Sequence, residues 1–110
     1  MISFALATAM TLAAAQADAT TGPRRTFVSC LSGFRKKSAS EKLSADAFSA
    51  AIKTACQTEA AALRQALVTS DVKVGIKRAT AEANADEDLG YQLEAMNESF
   101  RDSVAPRSPQ

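Results

Sequence analysis

The sequence contains no histidine and no tryptophan, and its aromatic rings are limited to five phenylalanines and one tyrosine. Without histidine, no imidazole can act as a general acid or base, and zinc sites of the usual cysteine and histidine type cannot be built. The four glycines stand apart from one another, which excludes a glycine-rich phosphate-binding loop. These absences predict that the chain is not an enzyme and that it binds neither a cofactor nor a metal ion.

The N-terminal segment has the composition of an export signal. Residues 1–15 have no charged side chain and are mostly apolar, and Ala17-Asp18-Ala19 follows with small residues at the two positions that signal peptidase recognises. The apolar run is shorter than the roughly 20 residues that a membrane-spanning helix needs. We therefore predict a signal peptide over residues 1–19 and a periplasmic or secreted location for the mature chain.

The predicted signal peptide lacks the Lys or Arg with which such segments usually begin. Either the true start codon lies a few residues upstream or the segment functions without a basic end. A buried N-terminal helix of a cytosolic protein is the alternative interpretation. Cleavage after Ala19 leaves a chain that begins at Thr20, with cleavage after Ala17 as the second choice. Residues 20–104 are then predicted to form one domain, followed by a disordered tail at 105–110.

The chain has only two cysteines, Cys30 and Cys56. Because exported proteins fold in an oxidising compartment, we predict that the two form one disulfide bond within the chain. Closing a loop of this length is expected to stabilise the fold by about 3.5 kcal/mol. That contribution is large for a small domain in which alanine supplies much of the 46% apolar content.

Apolar residues recur with helical spacing along the whole chain, which predicts an all-α fold. The expected architecture is a disulfide-stapled helical hairpin extended to a three-helix bundle. The first helix is predicted at residues 24–37, a loop at 38–42, and the second helix from the N-cap Ser44 to about residue 68. A break is predicted at 69–71, and the third helix follows to about residue 104. Its apolar register shifts near residue 86, so a kink is expected near Asn84, where Glu87 completes a capping-box pattern.

The disulfide fixes how the first two helices pack. If they run antiparallel about a Cys30–Cys56 bond, Phe34 lies opposite Ile52. The apolar residues of both helices then face each other, so the packing is consistent with the bridge.

Glu59 is the exception on this apolar face, since it is predicted to lie near Phe27 beside Leu63. One interpretation is a catalytic or recognition carboxylate with a raised pKa. The favoured interpretation is an ion pair with Arg24 or Arg25, because the sequence places no second acid or nucleophile nearby.

Charge is distributed unevenly along the chain. Residues 20–78 contain eleven basic and four acidic residues, whereas residues 79–110 contain two basic and seven acidic residues. The two parts are expected either to pair with each other or to leave a basic patch free for an acidic protein or an anionic polymer. Nucleic acid is not an expected partner, since the patch has no interleaved aromatic residue at stacking spacing beyond Phe34 and an exported protein rarely meets nucleic acid. The candidate partner-binding patch consists of Arg24, Arg25, Arg35, Lys36, Lys37 and Lys42.

These features together predict a small exported helical module that binds another protein or a second copy of itself. The alternative is an envelope-associated, surface-active protein whose amphipathic third helix lies on a membrane. The acidic polar side of that helix disfavours this alternative, because helices on anionic lipid carry Lys and Arg there.

Overall fold

The computed structural model describes the backbone of residues 7–104 and the side chains of residues 19–104. This part of the chain forms four helices and no strand, which confirms the predicted all-α bundle with one helix more than expected. The predicted tail at 105–110 and the first six residues of the predicted signal peptide lie outside it. The helices are α1 (Ala7–Ser40), α2 (Ala45–Ala55), α3 (Gln57–Lys73) and α4 (Arg78–Val104).

The first helix is longer than predicted at both ends. It contains the predicted segment 24–37, continues to Ser40 through part of the predicted loop, and includes Pro23 in its interior. A proline at such a position has no backbone N–H to donate, and its ring crowds the carbonyl of the fourth preceding residue, which here is Ala19.

The second predicted helix is two helices in the structure. Ser44 is the N-cap of α2 as predicted, and its Oγ accepts a hydrogen bond from the backbone N–H of Ala47 at 3.1 Å. Cys56 then departs from helical geometry, with φ −123° and ψ 39°, so that α2 ends and α3 begins on either side of it. The prediction of one continuous helix was wrong because the apolar spacing continues across Cys56 and does not report a break in backbone geometry at a single residue.

The break after α3 lies later than predicted. Residues 69–71 remain helical, and the turn is at 74–77, where Gly75 has a φ of +95°. The N–H groups of Gly75 and Ile76 donate to the carbonyls of Val72 and Asp71. Glycine adopts this left-handed conformation without the penalty that a Cβ imposes, so it terminates the helix more effectively than the capping side chains at 69–71.

The last helix runs without interruption through Asn84, so the expected kink does not divide it. The shift in its apolar register has another cause. Its first turns pack Ala81 and Ala85 against Val68 of α3, whereas its last turns insert Phe100 into the main core. A helix that contacts different neighbours along its length does not need one continuous apolar stripe.

Inter-helix contacts define the directions of the helices. Arg24 meets Asp88 and Arg35 meets Ser99, both 64 residues away, so α1 and α4 run parallel. The packing of Val68 against Ala81 and the contact of Arg64 with Asp86 place α3 antiparallel to α4. All four helices contribute to the main core, whose buried residues are Phe27, Leu31, Phe48, Ile52, Cys56, Leu63 and Phe100.

Candidate functional site

The disulfide joins α1 to the junction between α2 and α3. The Sγ atoms of Cys30 and Cys56 lie 2.10 Å apart, with 6.1 Å between the Cα atoms, as the predicted pairing requires. Phe34 stacks on Phe48, with 5.5 Å between ring centroids, one helical turn from its expected partner Ile52. All of these residues belong to one core cluster, so the bridge and the apolar packing hold α1 and α2 together at the same place.

Glu59 lies directly beside the bridge. One of its carboxylate oxygens and the two cysteine sulfurs all lie within 4.8 Å of one another. The expected ion pair with Arg24 or Arg25 does not form, and Glu59 makes no ion pair or hydrogen bond with any residue that the structure describes. Its place in the first turn of α3 is favourable for a carboxylate, since the helix dipole is positive there.

Two arginine–aspartate pairs connect the basic part of the chain to α4. Arg24 donates from Nη1 and Nη2 to the two carboxylate oxygens of Asp88, at 2.9 and 2.6 Å. Arg64 donates from Nε to Oδ1 of Asp86 at 2.7 Å. The basic part of the chain therefore pairs with the acidic part at two points, one on α1 and one on α3.

The Arg24–Asp88 pair makes stability depend on pH. Hydrogen bonds from Arg24 are the largest cause that lowers the pKa of the Asp88 carboxyl; burial opposes them and the arginine charge adds to them. A carboxyl with a lowered folded pKa stabilises the fold above its unfolded pKa of about 4, and this stabilisation is lost as the pH falls through the folded pKa.

We expect Asp88→Asn to lower the free energy of unfolding at pH 7 by at most about 1 kcal/mol, because both side chains are about one-third exposed. The difference in unfolding free energy between the variant and the parent should become smaller as the pH falls below about 4. Urea unfolding across this range measures both effects, and Glu41→Gln, an exposed carboxylate without an ion pair, is the control. A loss of unfolding free energy that is the same at pH 7 and at about pH 2 would contradict a stabilising ion pair between Arg24 and Asp88.

The six residues of the predicted basic patch do not form one free surface. Arg24 is held by Asp88, and Arg35 donates from Nη1 to Oγ of Ser99 at 3.1 Å, so both side chains turn towards α4. Whether the remaining residues bind a partner stays a prediction. They are exposed and make no ion pair or hydrogen bond with the described side chains: Arg25, Lys36, Lys37 and Lys42.

The outer side of α4 presents an exposed aromatic ring among carboxylates. Tyr91 is 68% exposed. Acidic residues occur four positions before it and three, seven and eleven after it, spacings that place them on the same face of a helix. None of them forms an ion pair within residues 19–104. We call this surface the acidic face of α4 and define it as Glu87, Tyr91, Glu94, Glu98 and Asp102.

A shallow cleft of about 370 Å³ separates α3 from the start of α4. Its polar lining includes Arg64, Arg78, Gln65 and Glu82. Arg64 already forms an ion pair with Asp86, and the positive charge of Arg78 is balanced by the negative charge of Glu82. The cleft therefore lacks the excess of one charge that would select an ionic ligand.

Within the described part of the chain, no helix combines the length and the apolar character needed to cross a bilayer. The sequence showed that the polar side of the last helix is acidic, but it did not single out Tyr91 as an exposed ring among those carboxylates. No protein-family model matches this chain, and it matches neither a curated protein nor a solved structure.

Proposed function

We propose that this protein is an exported helical module that binds another protein through the acidic face of α4. The observation that carries the proposal is Tyr91, a large ring that is 68% exposed among carboxylates without ion-pair partners. Tyrosine is enriched at the centres of protein interfaces, where its ring supplies contact area and its hydroxyl a hydrogen bond. The surrounding carboxylates favour a partner with a basic surface and accelerate the encounter with it.

The remainder of the fold supports α4 as a rigid platform. On its inner side, Ala81, Ala85 and Phe100 are buried, and Arg24 binds Asp88 near its middle. A helix fixed in this way loses little conformational entropy on binding. The acidic face also favours a protein partner over a membrane surface, because anionic lipid repels carboxylates.

Truncation of the exposed ring tests the binding face. With the oxidised chain as bait in an envelope extract, we expect Tyr91→Ala to reduce retention of the partner at least about tenfold, as loss of an interface hot spot does. Raising the salt concentration should weaken retention by the parent. The control is Val74→Ala, which shortens another exposed apolar residue, 58% exposed, in the turn before α4.

Two results would contradict the binding proposal: retention of the same proteins in equal amounts by the parent and by Tyr91→Ala, or no retained protein from the extract together with a purified chain that stays monomeric. Sedimentation velocity of the purified parent and of purified Tyr91→Ala tests whether the chain associates with itself through the same face. A concentration-dependent dimer that Tyr91→Ala abolishes would identify the partner as a second copy of the chain.

We also propose that the chain is exported and cleaved after Ala19. The disulfide supports export, because such bonds persist in oxidising compartments. Pro23 supports the cleavage position: the cut removes the carbonyl of Ala19 that proline cannot satisfy and leaves Pro23 in the first turn of a shortened α1, where a missing N–H has no cost.

N-terminal sequencing of exported material is expected to begin at Thr20, with Asp18 as the second choice. Recovery of folded, oxidised protein that still begins at Met1 would overturn the export proposal.

A further inference from the structure

We propose that the reduced chain binds a divalent transition-metal ion, with Zn²⁺ the best match, through the sulfurs of Cys30 and Cys56 and the carboxylate of Glu59. The three ligand atoms already lie within 4.8 Å of one another in the oxidised chain. This site is independent of the acidic face of α4 and does not depend on the proposed protein binding.

The geometry of the three side chains suits a tetrahedral metal. With Zn–S distances of about 2.3 Å and a Zn–O distance of about 2.1 Å, neighbouring ligand atoms in a tetrahedral site lie roughly 3.6–3.8 Å apart. The Cα atoms of the cysteines are 6.1 Å apart. Separated thiols can therefore reach these positions by side-chain rotation, without displacement of the helices.

The position of each ligand is set by the fold. Cys30 lies on α1, Cys56 at the junction of α2 and α3, and Glu59 in the first turn of α3. A spacing of three residues brings Cys56 and Glu59 to the same side of the chain. Because the cysteines pack with the main core, the packing of the folded chain, and not the sulfur–sulfur bond alone, holds the three ligands near one another.

The surroundings of Glu59 lack the cation that a partly buried carboxylate usually has. Glu59 is half-buried, forms no ion pair among the described residues, and lies beside Cys56, which is 2% exposed. A metal ion supplies the missing positive charge. Cys30 and Glu59 are only partly buried, which leaves one side of the site open to a water molecule as the fourth ligand.

The metal-bound and disulfide-bonded states exclude each other, because both use the same two sulfurs. A small thiol reductant transfers two electrons to the disulfide: two reductant thiols become one disulfide, and each cysteine sulfur gains a proton. Zn²⁺ then displaces both protons, which pass to solvent, and the metal keeps its oxidation state. Two thiolates and one carboxylate around Zn²⁺ give the site a net charge of −1.

The experiment compares metal binding by the oxidised and the reduced chain. The reductant is a water-soluble phosphine, which takes an oxygen atom from water to become the phosphine oxide, while the two hydrogens of that water pass to the cysteine sulfurs; it contributes no competing thiol. Zn²⁺ affinity is measured by competition with a chromogenic chelator, and Co²⁺ in place of Zn²⁺ reports thiolate ligation by its charge-transfer absorption. We expect one metal ion per reduced chain and none on the oxidised chain.

Substitution of the carboxylate separates this site from metal binding by two cysteines alone. We expect reduced Glu59→Gln to bind Zn²⁺ at least about tenfold more weakly than the reduced parent, whereas Glu41→Gln, which removes an exposed carboxylate elsewhere, should bind like the parent. Equal affinities of Glu59→Gln and Glu41→Gln would overturn the proposal, as would a reduced parent that binds no more tightly than Cys56→Ser.

Loss of the disulfide destabilises the domain, so helix content is followed by circular dichroism in the same titration. If the reduced chain is unfolded, Zn²⁺ should restore its helical signal, because binding to a site formed only in the fold drives folding. A reduced chain that stays unfolded at saturating Zn²⁺ would also overturn the proposal.

Discussion

Replacement of Phe100 by alanine is expected to lower the free energy of unfolding by about 3–5 kcal/mol. Its ring is fully buried and stacks on Phe48 with 4.0 Å between ring centroids. Phe100 lies in the last turns of α4 and inserts into the core formed by the other helices, so its removal leaves a cavity where α2 and α4 meet. Small domains have a total stability of about 5–15 kcal/mol, and the variant therefore loses a large fraction of it.

Thermal and urea unfolding of the oxidised chain measure this effect. At roughly 4–8 °C per kcal/mol for a domain of this size, we expect the thermal midpoint to fall by at least about 12 °C. Tyr91→Ala removes an aromatic ring from the same helix at a site that is 68% exposed, and should change stability by no more than about 0.5 kcal/mol. Equal effects of the two substitutions would contradict the packing of α4 against α2.

Local signals in the sequence predicted the parts of the fold that depend on neighbouring residues. Ser44 has the side chain and position of an N-cap, and the apolar spacing placed Phe27 and Phe34 on the side of α1 that faces the following helix. These features follow from helix geometry and hydrogen bonding within one or two turns, so no knowledge of the other helices is needed.

The incorrect boundaries depend on contacts between distant residues. The interruption at Cys56 accompanies its bond to α1, and the uninterrupted α4 reflects a change of packing partner from Val68 to the main core along its length. Gly75 is a partial exception. A glycine after a helical pattern is a known stop signal, but the prediction gave more weight to the capping residues at 69–71.

The candidate binding surface was predicted only in part, for a related reason. Uneven charge was visible in the sequence, but the choice of Asp88 as the partner of Arg24 depends on the parallel alignment of α1 and α4. The same alignment directs Arg35 towards Ser99 and thereby divides the predicted basic patch. The exposure of Tyr91 follows only once the buried side of α4 is known.

Removal of the disulfide is the second change with a large expected effect. The double variant Cys30→Ser/Cys56→Ser should lower the thermal midpoint by well over 10 °C, since the bond contributes about 3.5 kcal/mol and each kcal/mol corresponds to roughly 4–8 °C. The bond limits the conformations of the unfolded chain, and in the folded chain it holds α1 against the junction of α2 and α3. The double variant avoids the intermolecular disulfides that a single remaining cysteine would form.

The reductant supplies an internal control for this measurement. Reduction of the parent, with a chelator present to remove metal ions, should lower its midpoint towards that of the double variant, whereas the same treatment should leave the double variant unchanged. Thiol titration of the folded chain, purified without reductant, should find no free thiol. Two free thiols, or a double variant as stable as the parent, would contradict the role of Cys30 and Cys56 as the link between α1 and the α2–α3 junction, and the core around Phe48 and Phe100 would then have to hold the helices together alone.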